Sequence, residues 1–243
     1  MSKIIGLMVC GVGESDRYLE KPLEQFKNLC DDAVICLNGE DKKRDKLIKK
    51  YGFWSYRDDR EWGLHQPSIK TDLLARIAKM KADYIMPLDA DEEFADMTRD
   101  KLEELTDGAR GCYFYIVNHW NDESHYHRGL SFWNIRFFKL LPAFGLQYLK
   151  KPVHCGLAPP YAYKFGTYVP HIVRHYGLME QEDRDRKVER YKKYDPRAIH
   201  KSNLYYEAIA EKGTKVTTYD LQAINNKLKA DCDRMIYQKK YKD

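Results

Sequence analysis

Residues 81–94 read KADYIMPLDADEEF. Tyr84 to Leu88 is a short apolar run of strand length, and it runs directly into Asp89, Asp91, Glu92 and Glu93, with only Ala90 between them. A buried strand that ends in clustered carboxylates is the pattern of an α/β sheet whose strand ends carry a site. The four acids repel one another unless a cation stands among them. Two carboxylates spaced i, i+2 suit a hard divalent ion, which takes oxygen ligands and completes its shell with substrate phosphates.

Working toward the N-terminus, the spacing alternates helix and strand. Ile69, Leu73, Ile77 and Met80 mark one face of a helix, after a loop expected over Asp58–Pro67. Phe53–Tyr56 reads as a strand, 41–50 as a charged helix with Leu47 and Ile48 inward, and Ala33–Leu37 as a buried strand closed by the turn pair Asn38-Gly39. Leu19, Leu23, Phe26 and Cys30 recur at helical spacing, and Ile4–Val9 is a first strand broken by Gly11 and Gly13. This order predicts a mostly parallel sheet flanked by helices. Toward the C-terminus, Cys112–Val117 is an aromatic strand, 118–175 reads as loop-rich, and Phe132–Leu141 reads as a strand pair or a strand plus turn. Helices are expected over 179–194, 202–212 and 219–241, the last two lying on the body as a cap.

The 243 residues, 43% hydrophobic and 33% charged, form one domain with appendages or at most two small domains. Mean hydropathy is −0.70, and no apolar run reaches the roughly 18 residues of a membrane span. The six cysteines lack CxxC spacing, which predicts a reduced, cytoplasmic chain. A net charge of +5 permits an anionic partner without requiring one. His125-Tyr126-His127 has no Cys pair beside it, so zinc is not expected there.

KADYIMPLDADEEF resembles the segment of family 2 glycosyltransferases, of the GT-A fold, that carries their DxD motif. Residues 3–26 are similar to that family's first strand and helix, with Gly13-Glu14 where an Asn-Glu pair is common, and DAVICLNGEDKKRDKLIKKYG (32–52) to its second strand and turn. FWNIRFFK (132–139) is similar to its Arg-Leu-Phe strand, KKPVHCGL (150–157) to its Val-His-Glu stretch with Cys155 in place of Glu, and IVRHYG (172–177) to its His-x-Gly stretch. The turn Leu37-Asn38-Gly39-Glu40-Asp41 lacks the leading Asp that binds the nucleoside in the family.

The resemblance implies a catalytic domain over 1–195, with a nucleotide-binding half (1–95) and an acceptor-side half (96–195), followed by a helical C-terminal extension (196–243). It implies a nucleotide-sugar donor and an Mn²⁺ or Mg²⁺ cofactor held by Asp91 and His175, with Asp89, Lys70, Asn38 and Asp41 facing the nucleotide sugar. Inverting transfer to an acceptor hydroxyl needs a general base, for which Asp122, Glu123 and His154 are the candidates. The acceptor stays open among a glycan precursor, a protein and a modified DNA base. Nucleotidyl transfer also uses paired carboxylates, but Gly11-Val12-Gly13-Glu14 lacks its basic residue. A non-catalytic nucleotide- or nucleic-acid-binding relative of the fold is the non-enzymatic alternative.

Overall fold

A computed structural model describes residues 1–13, 17–151, 153, 155–197, 199, 203–211 and 215–240. Its first half is a parallel sheet built from β1 (Ile4–Cys10), β2 (Asp32–Asn38), β3 (Trp54–Asp58) and β4 (Tyr84–Pro87), in the spatial order β3-β2-β1-β4. Helices α1 (Glu20–Leu29), α2 (Lys42–Tyr51) and α3 (Trp62–Ala78) connect them. Strands β1, β2 and β4 are apolar almost throughout because both their faces are covered, whereas β3, at the edge, reads WSYRD and is largely exposed. Ile4, Met8 and Cys10 join Phe26 of α1 and Ile48 of α2 in one core, whereas Ile5 and Leu7 join Ile69, Leu73 and Ile77 of α3 in the other.

Beyond β4 the sheet becomes mixed. A short strand, β5 (Glu92–Phe94), follows the acidic turn, and the six-residue helix α4 (Arg99–Glu104) leads to β6 (Gly111–Trp120). Then come β7 (Asp122–Tyr126), β8 (Phe132–Lys139), α5 (Pro160–Lys164) and β9 (Thr167–His175). Strand β8 lies antiparallel between β4 and β6. Strand β9 runs parallel to β6 and antiparallel to β5, so its last residue, His175, registers with Glu92 on one side and Asn118 on the other.

Helices α6 (Gln181–Tyr194), α7 (Asn203–Ala210) and α8 (Leu221–Lys240) complete the chain, with β10 (Thr217–Thr218) adding an edge to β7. Helix α7 packs on α6, and α8 lies on β9 with Leu228 among Val117, Tyr126 and Ile172. No helix among the described residues is long and apolar enough to cross a membrane.

Two sequence expectations are corrected. The loop expected over 58–67 is largely helix, because α3 starts at Trp62 and contains Pro67. Proline there removes one backbone donor. The early start is held by tertiary contacts that a local proline signal does not carry. Glu61 O accepts from both Leu64 N and His65 N (3.1 and 2.9 Å), and its carboxylate accepts from Lys193 Nζ (2.8 Å) and from the Tyr194 hydroxyl. The stretch 118–175, read as loop-rich, holds β7 and β9 besides β8, which falls where a strand is expected over Phe132–Leu141. Strand β9 was masked by Pro170, which falls where the β6–β9 register shifts between Tyr113↔Tyr168 and Tyr115↔Ile172, a place where no ladder donor is required.

Candidate active site

The carboxyl ends of β1, β2, β3 and β4 form one edge, and a buried arginine ties their loops together. Arg44 of α2 donates to Cys10 O and Asn38 O (3.0 Å each) and to Gly39 O (2.7 Å). Asp41 caps α2, accepting from Arg44 N (2.9 Å), and also accepts from Gly13 N (3.0 Å), which holds its carboxyl below the ordinary range. Asn38 donates its side-chain amide to Asp58 O (2.7 Å) and Arg60 O (2.9 Å), leaving its oxygen as the group that can face a ligand. Gly39 closes the turn at φ +78°, as the Asn-Gly signal predicts.

The acidic turn after β4 is held from beneath. Glu92 is buried and forms a two-point ion pair with Arg136 of β8 (Nε–Oε2 2.7 Å, Nη2–Oε1 2.5 Å). The same Glu92 Oε2 accepts from Asp89 N (3.1 Å), so this pair shapes the turn that presents Asp89 and Asp91. Burial and the neighbouring Glu92 charge push the Asp89 carboxyl above the ordinary range, with Lys70 and Arg136 opposing. Lys70 is buried in α3, with Nζ donating to Gly156 O (2.7 Å) and lying 5.5 Å from the Trp62 ring centre. It is therefore a fixed charge facing the site and not a solvated helix-start lysine.

Asp91 Oδ2 lies 3.4 Å from His175 Nε2. Asn118 fixes one end of the imidazole. Its Nδ2 donates to Leu130 O (2.6 Å), so its Oδ1 is an acceptor and must receive the proton of His175 Nδ1. His175 Nε2 is thereby turned toward the Asp91 carboxylate. Burial alone would raise the Asp91 carboxyl, but His175 and Lys187 outweigh it and the group sits below the ordinary range.

Gly177 keeps this space clear: a Cβ there would stand 1.9 Å from Asp91 Oδ2 and 3.0 Å from His175 Nε2. The chemistry fits a divalent ion, because one carboxylate oxygen and one imidazole nitrogen converge at a spacing that bonds of roughly 2.1 Å can span. Asn118 supplies the outer contact that orients a ligating histidine. Among the described residues no third His, Cys, Asp or Glu joins the pair, so further ligands would come from substrate or solvent.

Beyond His175, Tyr176 is stacked on Tyr18 (5.1 Å between ring centres) and on His119 (5.2 Å), with Lys21 Nζ 4.5 Å from its ring centre. Lys21 reaches Glu93 (3.4 Å) and Glu123 (3.5 Å), which joins Glu123 of β7 to the residue beside His175. Asp122 is engaged locally by His125 Nδ1 (2.9 Å) and Ser124 N (2.7 Å), and its carboxyl is lowered by that histidine. His154 lies outside the described residues, as does Glu14.

Sequence reading did not single out Asn118 or Lys187, and it met Arg136 and Gly177 only inside the Arg-Leu-Phe and His-x-Gly resemblances, without a role. Asn118 was the most readable of them, a polar residue at a buried position in the aromatic strand CYFYIVNHW.

No protein-family profile and no curated protein sequence matches the chain. Among solved structures it is similar to S. aureus TarS, with a TM-score of 0.51 and 11% identity over 87% of this chain and 46% of that chain. It is also similar to 4-diphosphocytidyl-2C-methyl-D-erythritol synthase, with a TM-score of 0.38 and 17% identity over 57% of this chain and 76% of that one. The chain thus spans about half of TarS, at 46%. The likeness to TarS is one of architecture, a GT-A-like α/β sheet flanked by helices.

Proposed function

We propose that this protein is a metal-dependent glycosyltransferase that moves a sugar from a nucleotide-sugar donor to an acceptor hydroxyl with inversion. The observation that carries this reading is the convergence of Asp91 Oδ2 and His175 Nε2, 3.4 Å apart beneath Gly177 at the carboxyl end of a GT-A-like sheet. Asp91 and His175 would hold Mn²⁺ or Mg²⁺. The bound ion would supply Lewis-acid neutralisation of the leaving diphosphate. A nitrogen ligand beside a carboxylate favours Mn²⁺.

The chain's own residues do the rest. Asp89 binds a ribose hydroxyl, and buried Lys70 opposes its negative charge. Asn38 Oδ1 faces the nucleoside, while Asp41 supports the first two loops. Glu123 takes the acceptor proton in preference to Asp122, because Lys21 links it to Glu93 and Tyr176 while Asp122 is engaged by His125.

Thermal stabilisation by a panel of nucleotide sugars, with and without Mn²⁺, tests the reading. Saturation a hundredfold above Kd should add roughly 2.7 kcal/mol of apparent stability for the true donor. NMR of the anomeric proton should show a product configuration opposite to the donor's. Absence of any stabilised pair, or retained configuration, rejects the reading as stated.

A further inference from the structure

The Asp91–His175 pair already has a cation beside it. Lys187 Nζ lies 3.4 Å from His175 Nε2. The lysine belongs to α6, whose inward face is set by helical periodicity: Arg184, Lys187, Val188 and Tyr191 share it. Arg184, one turn earlier, is buried and donates to Leu178 O (2.8 Å) and Met179 O (2.7 Å), with its guanidinium over the Trp120 ring at 4.1 Å. These bonds fasten the segment following Gly177 to α6. Arg17 adds a second clasp through Glu182 (3.1 Å) and Asp183. Lys187 is thus delivered by an anchored helix.

Lys187 has no carboxylate within ion-pair distance among the described residues. A partly buried ammonium without an anion of its own, beside the His175 ring that faces Asp91, is a charge held ready for an anionic ligand.

We propose that Lys187 is a protein-borne cation of the donor site, which balances Asp91 and His175 when no ion is present and binds the donor's diphosphate when nucleotide and ion arrive. This rests on the donor site proposed above. The lysine and a divalent ion share one pocket of negative potential, so they compete when no diphosphate is bound. Once diphosphate enters, its added negative charge accommodates both. The expected effects of removing the lysine therefore have opposite signs for the metal and for the diphosphate.

Calorimetric titration of the full chain separates the possibilities, using Mn²⁺ alone, then inorganic pyrophosphate, UDP, CDP, GDP and ADP, each with and without Mn²⁺. Lys187→Ala should bind Mn²⁺ alone severalfold more tightly. It should bind pyrophosphate and the responding nucleoside diphosphate roughly tenfold or more weakly, the scale of one lost charge-assisted contact. Lys187→Arg should restore diphosphate binding to within a fewfold. Circular dichroism confirms that each variant is folded. If wild type binds diphosphates and Lys187→Ala binds both them and Mn²⁺ unchanged, the proposal for Lys187 is overturned and the donor site stands. If wild type binds none of the diphosphates under any condition, both are overturned. Metal-free diphosphate binding that disappears in Lys187→Ala would support the lysine and reject metal dependence.

Discussion

At the residue scale, position 177 is decided by space. A methyl group there would stand 1.9 Å from Asp91 Oδ2, and His175 Nε2 is 3.0 Å away, so both site atoms would have to move. Gly177→Ala should abolish detectable Mn²⁺ binding in calorimetry while leaving the circular dichroism spectrum native, because the crowding is confined to the site. Full Mn²⁺ affinity in that variant would place the ion elsewhere. Position 92 is decided by charge. Removing Arg136 leaves Glu92 buried without its cation, and breaking such a pair costs on the order of 3–5 kcal/mol. Arg136→Met should therefore lower the urea midpoint sharply. The double variant with Glu92→Gln should recover much of that loss without recovering donor binding, since Glu92 also holds Asp89 N. A double variant as unstable as the single one would mean that packing, and not charge, sets the cost.

At the element scale, the pairing of β6 with β9 brings His119, Asn118 and His175 together. His119 of β6 is fully buried between the Tyr176 ring (5.2 Å) and the Tyr219 ring (4.9 Å). Burial chiefly, with Arg174 nearby, pushes its imidazole down to about 4. In the unfolded chain it titrates near 6.5, so below that pH the unfolded state takes up a proton that the folded state refuses. The neutral imidazole's contribution is therefore complete above pH about 6.5 and is lost as pH falls toward 4. In urea titrations at pH 7.5, 6 and 4.5, His119→Phe should lose less stability than wild type over this interval. Parallel pH profiles would show that His119 titrates normally in the fold. The same strands show where sequence reading stops. Strands β1, β2 and β4 were readable because each is a continuous apolar run between helices, and β3 through the aromatic residues Phe53, Trp54 and Tyr56. Strand β9 carries Pro170, His171, Arg174 and His175, so its pairing with β5 and β6 is a tertiary fact without a local pattern. Asp89 and Asp91 stood out because clustered carboxylates after a strand are conspicuous, and His175 entered through the His-x-Gly resemblance. Arg136 entered only as part of the Arg-Leu-Phe resemblance, without its partner Glu92, and Lys187 did not stand out, since a lysine in a charged helix looks ordinary until its partner is known.

At the scale of the whole molecule, the C-terminal elements touch both halves of the site without entering it. Helix α7 packs on α6, which carries Lys187, and the buried Tyr206 hydroxyl donates to Asp195 Oδ2 (2.6 Å) just beyond the end of α6. Helix α8 lies on β9, which carries His175, and its Leu228 is nearly fully buried against Val117 and Ile172. Two functions are conceivable for such a cap: to stabilise the fold, or to set the position of His175. The sheet argues for the first, because β9 is already paired on both sides at its end, to Glu92 of β5 and Asn118 of β6, and the Asn118 amide fixes the imidazole itself. Truncating Leu228 to Ala should then cost about 2–4 kcal/mol of unfolding free energy, the range for a buried leucine. It should leave the Mn²⁺ and diphosphate affinities within about twofold of wild type at a temperature where the variant stays folded. Urea denaturation and calorimetric titration of the same preparations separate the two quantities. A fall in Mn²⁺ affinity of tenfold or more, an energy of about 1.4 kcal/mol withdrawn from the site itself, would instead make α8 a positioning element for His175 and assign the cap a part in donor binding.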